Sequence, residues 1–276
     1  CIRDRSDAAE NNLPGPVYVT GANGFFGRYV LEGLTDAGVT AIGVSRSAAA
    51  DIQVADYRDL APDKGATLVH LAEGAQMETD GALNTKTTNS LLRHSWRHVV
   101  YASSAAVYGD RSSSPHAESG PTVPTTGYGK AKLASEAPLA DVGGTILRLT
   151  NLIGLPVKAE TLLGAILAQR TNDGPMRLRA TGAIRDYLFA ADAAQAVLKA
   201  VQGATPGVFN IATGNSLSSK SLARRLLDLD GQHTRSIEGP AGPLSVLRLD
   251  VSRAEDALGW RAETSLEGAL RRILAG

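Results

Sequence analysis

One cysteine, Cys1, is the chain's whole supply of thiol, so no disulfide framework can form within its 276 residues. The histidines, at positions 70, 94, 98, 116 and 233, lack the spacing to carboxylates or thiols that holds a metal, and no metal site is expected. Neither sign of charge is in excess: Lys plus Arg and Asp plus Glu number 28 each. A nucleic-acid binder of zero formal charge needs a local basic stripe, and none is present, so no nucleic-acid partner is expected. No apolar run approaches the ~18 residues that cross a bilayer, so no membrane partner is expected either. The opening "CIRDRSDAAENN" is polar, mixed in charge and without the apolar centre of a secretory signal. The first residue is not Met, and residues 1–13 are set aside as a disordered or non-native segment. A cytoplasmic protein follows by default.

What the chain does have is length for a sizeable core and a repeating order. "VYVT" (17–20), "TAIGVS" (40–45), "IQVAD" (52–56), "TLVHLA" (67–72), "HVVYAS" (98–103) and "TILRLTNLIG" (145–154) read as strands. Helical patterns lie between them, over Phe25–Ala37, through Asn89 to His94, and over Tyr128–Leu139. Continuous apolar strands separated by helices imply a parallel sheet covered on both faces. That is an α/β fold with a doubly wound sheet, whose ligands sit at the carboxyl ends of the strands. After Gly154 the pattern loosens into helices at 160–170, 191–202 and 218–229 and the strand "GVFNIA" (207–212). A last helix puts Leu266, Leu270, Ile273 and Leu274 on one face. Residues 155–276 read as a smaller, partly interleaved lobe, and 14–154 as the sheet domain, which also receives the strand near 207–212. The polar loop "RSSSPHAESGPTVPTTG" (111–127) is long for a compact domain, and loops of that length are usually functional.

In "TGANGFFGRYV" (20–30), Gly21, Gly24 and Gly27 recur every third residue between a strand and a helix. The first permits a tight turn, the second lets backbone approach a pyrophosphate, and the third lets the helix pack on the strand. The helix N-terminus then offers free N–H groups and a positive dipole end. The alternative is a plain glycine turn. Tyr128 and Lys132 in "YGKAK" are four apart on one helix face, just past the Ser-rich strand end "YASSAAVYG" (101–109). A Lys ammonium beside a phenol stabilises phenolate, and hydride transfer at an alcohol or ketone needs a group that gives or takes a proton near neutral pH.

These motifs resemble the extended short-chain dehydrogenase/reductase family, the NAD-dependent epimerases and dehydratases, whose first strand ends TGxxGxxG. The resemblance runs from about residue 14 to 276 and implies a Rossmann-like dinucleotide domain with a smaller substrate lobe. The family's serine, two residues before V-Y-G, maps onto Ser104, so the implied catalytic set is Ser104, Tyr128 and Lys132. Ser103 beside it reads as structural. The resemblance also implies a cofactor site of Gly21, Asn23, Gly24, Phe25, Phe26, Gly27, Arg46, Asp56, Tyr57, Leu71 and Ala72, with Tyr128 and Lys132. Asp56 in "VADYRDL" matches an adenine-binding Asp, and "LVHLA" matches V-I-H-L-A, whose backbone flanks the cofactor.

An NAD enzyme usually carries an acid after the second strand, bound to the ribose 2′-OH. Here Ser45, Arg46 and Ser47 stand in its place, and Arg46 can pair with a 2′-phosphate. Arg28 adds positive potential nearby. NADP is therefore expected ahead of NAD; a solvated arginine is the alternative at both positions.

The resemblance implies a nucleotide-sugar substrate touched by Asn84, Ser104, Asn151 and Arg185. Asn84 in "NTKTTNSLL" matches the family's N-V-x-G-T only at the Asn, and a surface helix Asn fits as well. The stretch from Ala72 to Asn84 is shorter than usual in the family. Asn151 and Arg185 match the diphosphate-binding residues of L-R-x-x-N and R-D-x-V. A strand-end cap and an ion pair with a nearby Asp are their alternatives. The family's R-P-G-D is absent: "PAGPLSVLRLD" (240–250) has Pro240 and Pro243 where its Arg and Asp would be. Dehydration needs an acid and a base beside Ser104, and Ala105 and Ala106 cannot serve. The expected reaction is 4-ketoreduction or 4-epimerisation. A non-catalytic NADP(H)-sensing module and reduction of a non-sugar carbonyl are the alternatives. A homodimer is possible, as is common in the family.

Overall fold

The computed structural model describes residues 15–72 and 81–276. The segment 1–13 lies outside them, as does most of the short stretch between Ala72 and Asn84.

The first half alternates strand and helix: β1 (Val17–Thr20), α1 (Phe25–Asp36), β2 (Ala41–Ser45), β3 (Ile52–Gln53), β4 (Thr67–His70), α2 (Gly81–Leu91), β5 (His98–Ser104), α3 (Gly127–Asp141) and β6 (Thr145–Leu149). Every residue of β1, β4 and β6 is buried, as a strand with both faces covered must be. The second half adds β7 (Asn151–Ile153), α4 (Leu162–Leu167), β8 (Met176–Arg177), β9 (Ile184–Arg185), β10 (Tyr187–Phe189), α5 (Ala190–Gly203) and β11 (Gly207–Ile211). It ends with β12 (Leu217–Ser218), α6 (Ser219–Leu229), β13 (Ile237–Glu238), α7 (Ser252–Leu258) and α8 (Leu266–Ala275).

Among the described residues the main sheet has seven strands in the order β11-β6-β5-β4-β1-β2-β3, each pair parallel. Succession runs one way from β1 to β3 and the other way from β4 to β6. The crevice at the carboxyl ends of β1 and β4 is therefore the switch point, where such sheets bind ligands. On one face α1 packs against α5, where Gly33 comes close to Ala194. On the other face α2 packs against α3.

Three segments differ from the sequence reading. The run 145–154 is two strands in two sheets: β6 stays in the main sheet, while β7 pairs with β10. Thr150 makes the break, its N–H on the Ile211 carbonyl at 3.1 Å and its hydroxyl on the Asp186 carbonyl at 3.0 Å. Apolar periodicity marks a buried strand but not which sheet receives it. β3 stops at Gln53 because the Asp56 carboxylate accepts the Arg58 N–H and caps a short turn over Tyr57–Asp59. The second helix is Gly81–Leu91, earlier in the chain than its apolar residues suggested.

The last third of the chain passes repeatedly between the two parts. Leu188, α5, Phe209, Ile211, Ala254, Leu258 and Trp260 belong to the core on the sheet. Met176, Leu178, α6 and α8 form a separate core with Ile153 and Phe189. Asp192 fastens one return: its carboxylate accepts the N–H groups of Glu263 (3.0 Å) and Thr264 (2.7 Å). Among the described residues no helix is long and apolar enough to cross a membrane.

Candidate active site

The glycine loop closes tightly on α1. A Cβ on Gly27 would lie 2.3 Å from the Gly21 carbonyl oxygen and 2.6 Å from that of Ala22, so no larger residue fits. No side chain caps α1 at Gly24. The N–H groups of its first turn, which Phe25 and Phe26 begin, are thus left for an anion. A cradle shut to any Cβ and uncapped at its helix fits the pyrophosphate of a dinucleotide.

Across the crevice, Leu71 and Ala72 both donate their N–H to the Thr20 hydroxyl oxygen, each at 3.2 Å. With two donors on its oxygen, Thr20 directs its own proton to His70 Nδ1, 2.8 Å away. His70 therefore carries its proton on Nε2 and donates it to Thr88 (3.2 Å), which donates to the Asn84 carbonyl (3.0 Å). This oriented chain joins the switch-point crevice to α2. Complete burial, with the Lys132 charge as a smaller cause, pulls the His70 pKa from 6.5 to about 3. The unfolded chain takes up a proton below the ordinary value while the folded one does not, so stability falls as pH drops from about 6.5 towards 3. Urea unfolding is expected to show a loss of about 2 kcal/mol from this residue between pH 7.5 and pH 5. In His70→Asn that share of the slope is gone, and an unchanged slope would disprove the assignment.

Ser104 ends β5, half-buried, and its hydroxyl oxygen accepts the Ala106 N–H at 3.2 Å. Tyr128 and Lys132 rise from the first turns of α3, whose start is capped by the Thr126 hydroxyl on the Gly129 N–H. Gly129 decides how near the two elements come: a Cβ there would sit 2.5 Å from the Ala106 carbonyl oxygen. The Lys132 ammonium is buried, donates to the Ala102 carbonyl at 2.5 Å, and lies 5.8 Å from the centre of the Tyr128 ring. The structure thus gathers Ser104, Tyr128 and Lys132 beside the switch-point crevice.

Beneath them runs a buried polar network that the sequence reading missed. The Ser103 hydroxyl donates to Glu136 Oε1 at 2.5 Å. Arg148 holds the same carboxylate with Nε (3.1 Å) and Nη2 (2.7 Å), and its Nη1 donates to the Tyr108 hydroxyl at 2.8 Å. Tyr108 donates in turn to Asn210 (2.8 Å). A signal existed: Glu136 follows Lys132 by one helical turn, and Arg148 is a charge set between Leu147 and Leu149 in an otherwise uncharged strand.

At the far end of the crevice, Asn23 Nδ2 donates to the Ser47 hydroxyl at 2.5 Å, and the Ser45 hydroxyl is 3.4 Å from Ser47. Arg46 is exposed. Asp51, the acid that follows in the chain, is occupied by the Gly43 N–H at 2.7 Å. Asp56 pairs with Arg58 at 2.6 Å, and that hydrogen bond holds its carboxyl below the usual range. Tyr57 follows it in the same turn.

The residues expected to touch substrate are less closely gathered. Asn84 is buried on α2. Asn151 is exposed on β7, in register with Tyr187. Arg185 is paired with Asp110 at 3.2 Å and donates to the Ser245 hydroxyl (2.7 Å) and carbonyl (3.0 Å). Hydrogen bonding from Ser245, with the Arg185 charge as a smaller cause, holds the Asp110 carboxyl below its ordinary value. Pro240 lies on a stretch bonded to Thr181, whose N–H reaches its carbonyl at 2.9 Å.

Known proteins share the family profile and the fold of this chain. The profile of the NAD dependent epimerase/dehydratase family matches residues 17–212. A dTDP-6-deoxy-L-talose 4-dehydrogenase (NAD(P)(+)) of Kitasatospora kifunensis is 27% identical, covering 96% of each chain. A UDP-glucose 4-epimerase of Azospirillum brasilense is 28% identical over 94% of this chain and 91% of its own. Among solved structures, UDP-N-acetylglucosamine 4-epimerase from Bacillus cereus superposes with a TM-score of 0.81 at 26% identity, covering 95% of this chain and 96% of its own.

Proposed function

The chain belongs to the NAD-dependent epimerase/dehydratase family, and within it we propose an NAD(P)-dependent 4-ketoreductase or 4-epimerase of a nucleotide-linked sugar. The observation that carries this reading is the anchored Lys132 ammonium beside Tyr128, across the switch point from a glycine loop that admits no Cβ at Gly27. A nicotinamide dinucleotide, when bound, supplies or accepts the hydride. Tyr128 gives its proton to the sugar's carbonyl oxygen in reduction and takes it from the alcohol in oxidation. Lys132 sets a positive charge beside the Tyr128 ring, and Ser104 donates a hydrogen bond to the same substrate oxygen. Ala105 and Ala106 hold no proton to move, which argues against dehydration.

NADP is the proposed preference. Arg46 supplies the charge, and Ser45, Ser47 and Asn23 supply neutral hydrogen-bonding groups where an acid would repel a 2′-phosphate. Asp51 is turned to backbone and does not restore that acid. In fluorescence titrations Arg46→Ala should weaken NADPH about tenfold and NADH hardly at all. Equal losses for both would refute the preference.

The reaction itself is tested by mass analysis of dinucleotide released on denaturation, followed by incubation with UDP-galactose and with a 4-keto sugar nucleotide. Retained dinucleotide and formation of UDP-glucose identify an epimerase. Consumption of NADPH with the keto sugar identifies a reductase. Turnover of neither refutes the proposed substrate class.

A further inference from the structure

We propose that Ser103 is a positioning residue: through Glu136 it sets the rotation and height of α3 against β5, and so the placement of Tyr128 and Lys132 relative to Ser104. The inference rests on the catalytic reading above.

Two successive residues of β5 are gripped by two residues one turn apart on α3. Ala102 offers its carbonyl to Lys132, and Ser103 gives its hydroxyl proton to Glu136. Tyr128, Lys132 and Glu136 are spaced by four, so all three share one face of the helix. Large apolar side chains are few on the buried side of α3. The buried residues of α3 are Gly129, Ala131, Lys132, Ser135, Glu136 and Leu139. Apart from Leu139 the uncharged ones are too small to interlock; the close approach at Gly129 sets the separation of helix and strand, and little apolar bulk resists a turn about the helix axis. Polar bonds supply much of the resistance, and of the two to β5 only the Ser103 bond ends on a helix side chain that is itself clamped. Glu136 is held on both oxygens by Arg148 from β6, whereas Lys132 reaches its carbonyl through a longer side chain.

Ser103 is also separable from stability. Removing its hydroxyl leaves both Arg148 bonds to Glu136 in place, so the carboxylate stays paired. Ser103 is 2% exposed and on the strand face opposite to Ser104, so it does not reach the substrate itself.

The test is Ser103→Ala, read in two ways, with Tyr128→Phe as companion. Hydrogen exchange on the protein alone should speed up about tenfold in peptides over 127–134, with α1 and α5 unchanged. In turnover kcat should fall about tenfold while the KM values for dinucleotide and sugar nucleotide stay within about twofold. Unchanged exchange over 127–134 overturns the proposal whatever the substrate proves to be. So does wild-type kcat in Ser103→Ala when Tyr128→Phe is inactive. Full activity in Tyr128→Phe overturns the catalytic reading instead, and the exchange data still decide whether Ser103 fixes the helix.

Discussion

Replacing Tyr128 by Phe is expected to lower turnover about 10³-fold and to leave dinucleotide affinity within about twofold. The substitution removes one oxygen and keeps the ring. Lys132 does not depend on that oxygen for its place, because its ammonium is already held by the Ala102 carbonyl and lies 5.1 Å from the Tyr101 ring centre. The cradle of Gly21, Gly24 and Gly27 is on the other side of the switch point and is untouched. What is lost is the proton that must travel with the hydride. The measurement is steady-state turnover beside fluorescence titration of NADPH and NADH. A variant that keeps its turnover excludes Tyr128 as the acid–base group. One that loses both turnover and cofactor binding gives it a structural role.

The second large effect is on stability. Arg148→Met should cost about 3–5 kcal/mol, because it strands the buried Glu136 carboxylate. That is a large part of the 5–15 kcal/mol that typically holds a domain together, so the variant should unfold at a markedly lower urea concentration. Adding Glu136→Gln to Arg148→Met should return part of the loss, since an apolar side chain then faces a neutral amide. The two side chains are only 6% and 7% exposed, and the long polar loop keeps them so. Its Glu118 accepts the Asn210 N–H at 2.8 Å, and its His116 stacks on Tyr108 with ring centres 4.8 Å apart. A cost below about 1 kcal/mol would mean that water reaches the pair, as at a surface bridge.

The loop's length marked it as functional; what the structure shows is that it covers the buried pair. That role was not legible, because nothing in "RSSSPHAESGPTVPTTG" tells which buried charge lies beneath it. The parallel sheet was legible: buried strands on both faces leave continuous apolar runs, and glycine spacing marked the loop at the switch point. Tyr128, Lys132 and Ser104 were legible as motifs. Arg185 shows the limit. Its match to a diphosphate-binding arginine and the alternative of an ion pair could not be separated by sequence, because Asp110 lies 75 residues away in the chain. The break at Thr150 was hidden for the same reason, since Asp186 and Ile211, which cause it, are distant in sequence.

That break has a mechanical consequence. Two bodies joined by one linker can open like a book. Here the backbone crosses between the sheet core and the second core at Thr150, after Phe189, after Ile211 and again before α7 and α8. A hinge would have to bend at all of these places together. Opening the two cores against each other is therefore expected to cost more than moving a single loop, and the spacing between the glycine cradle and the second core is held by several chain crossings at once.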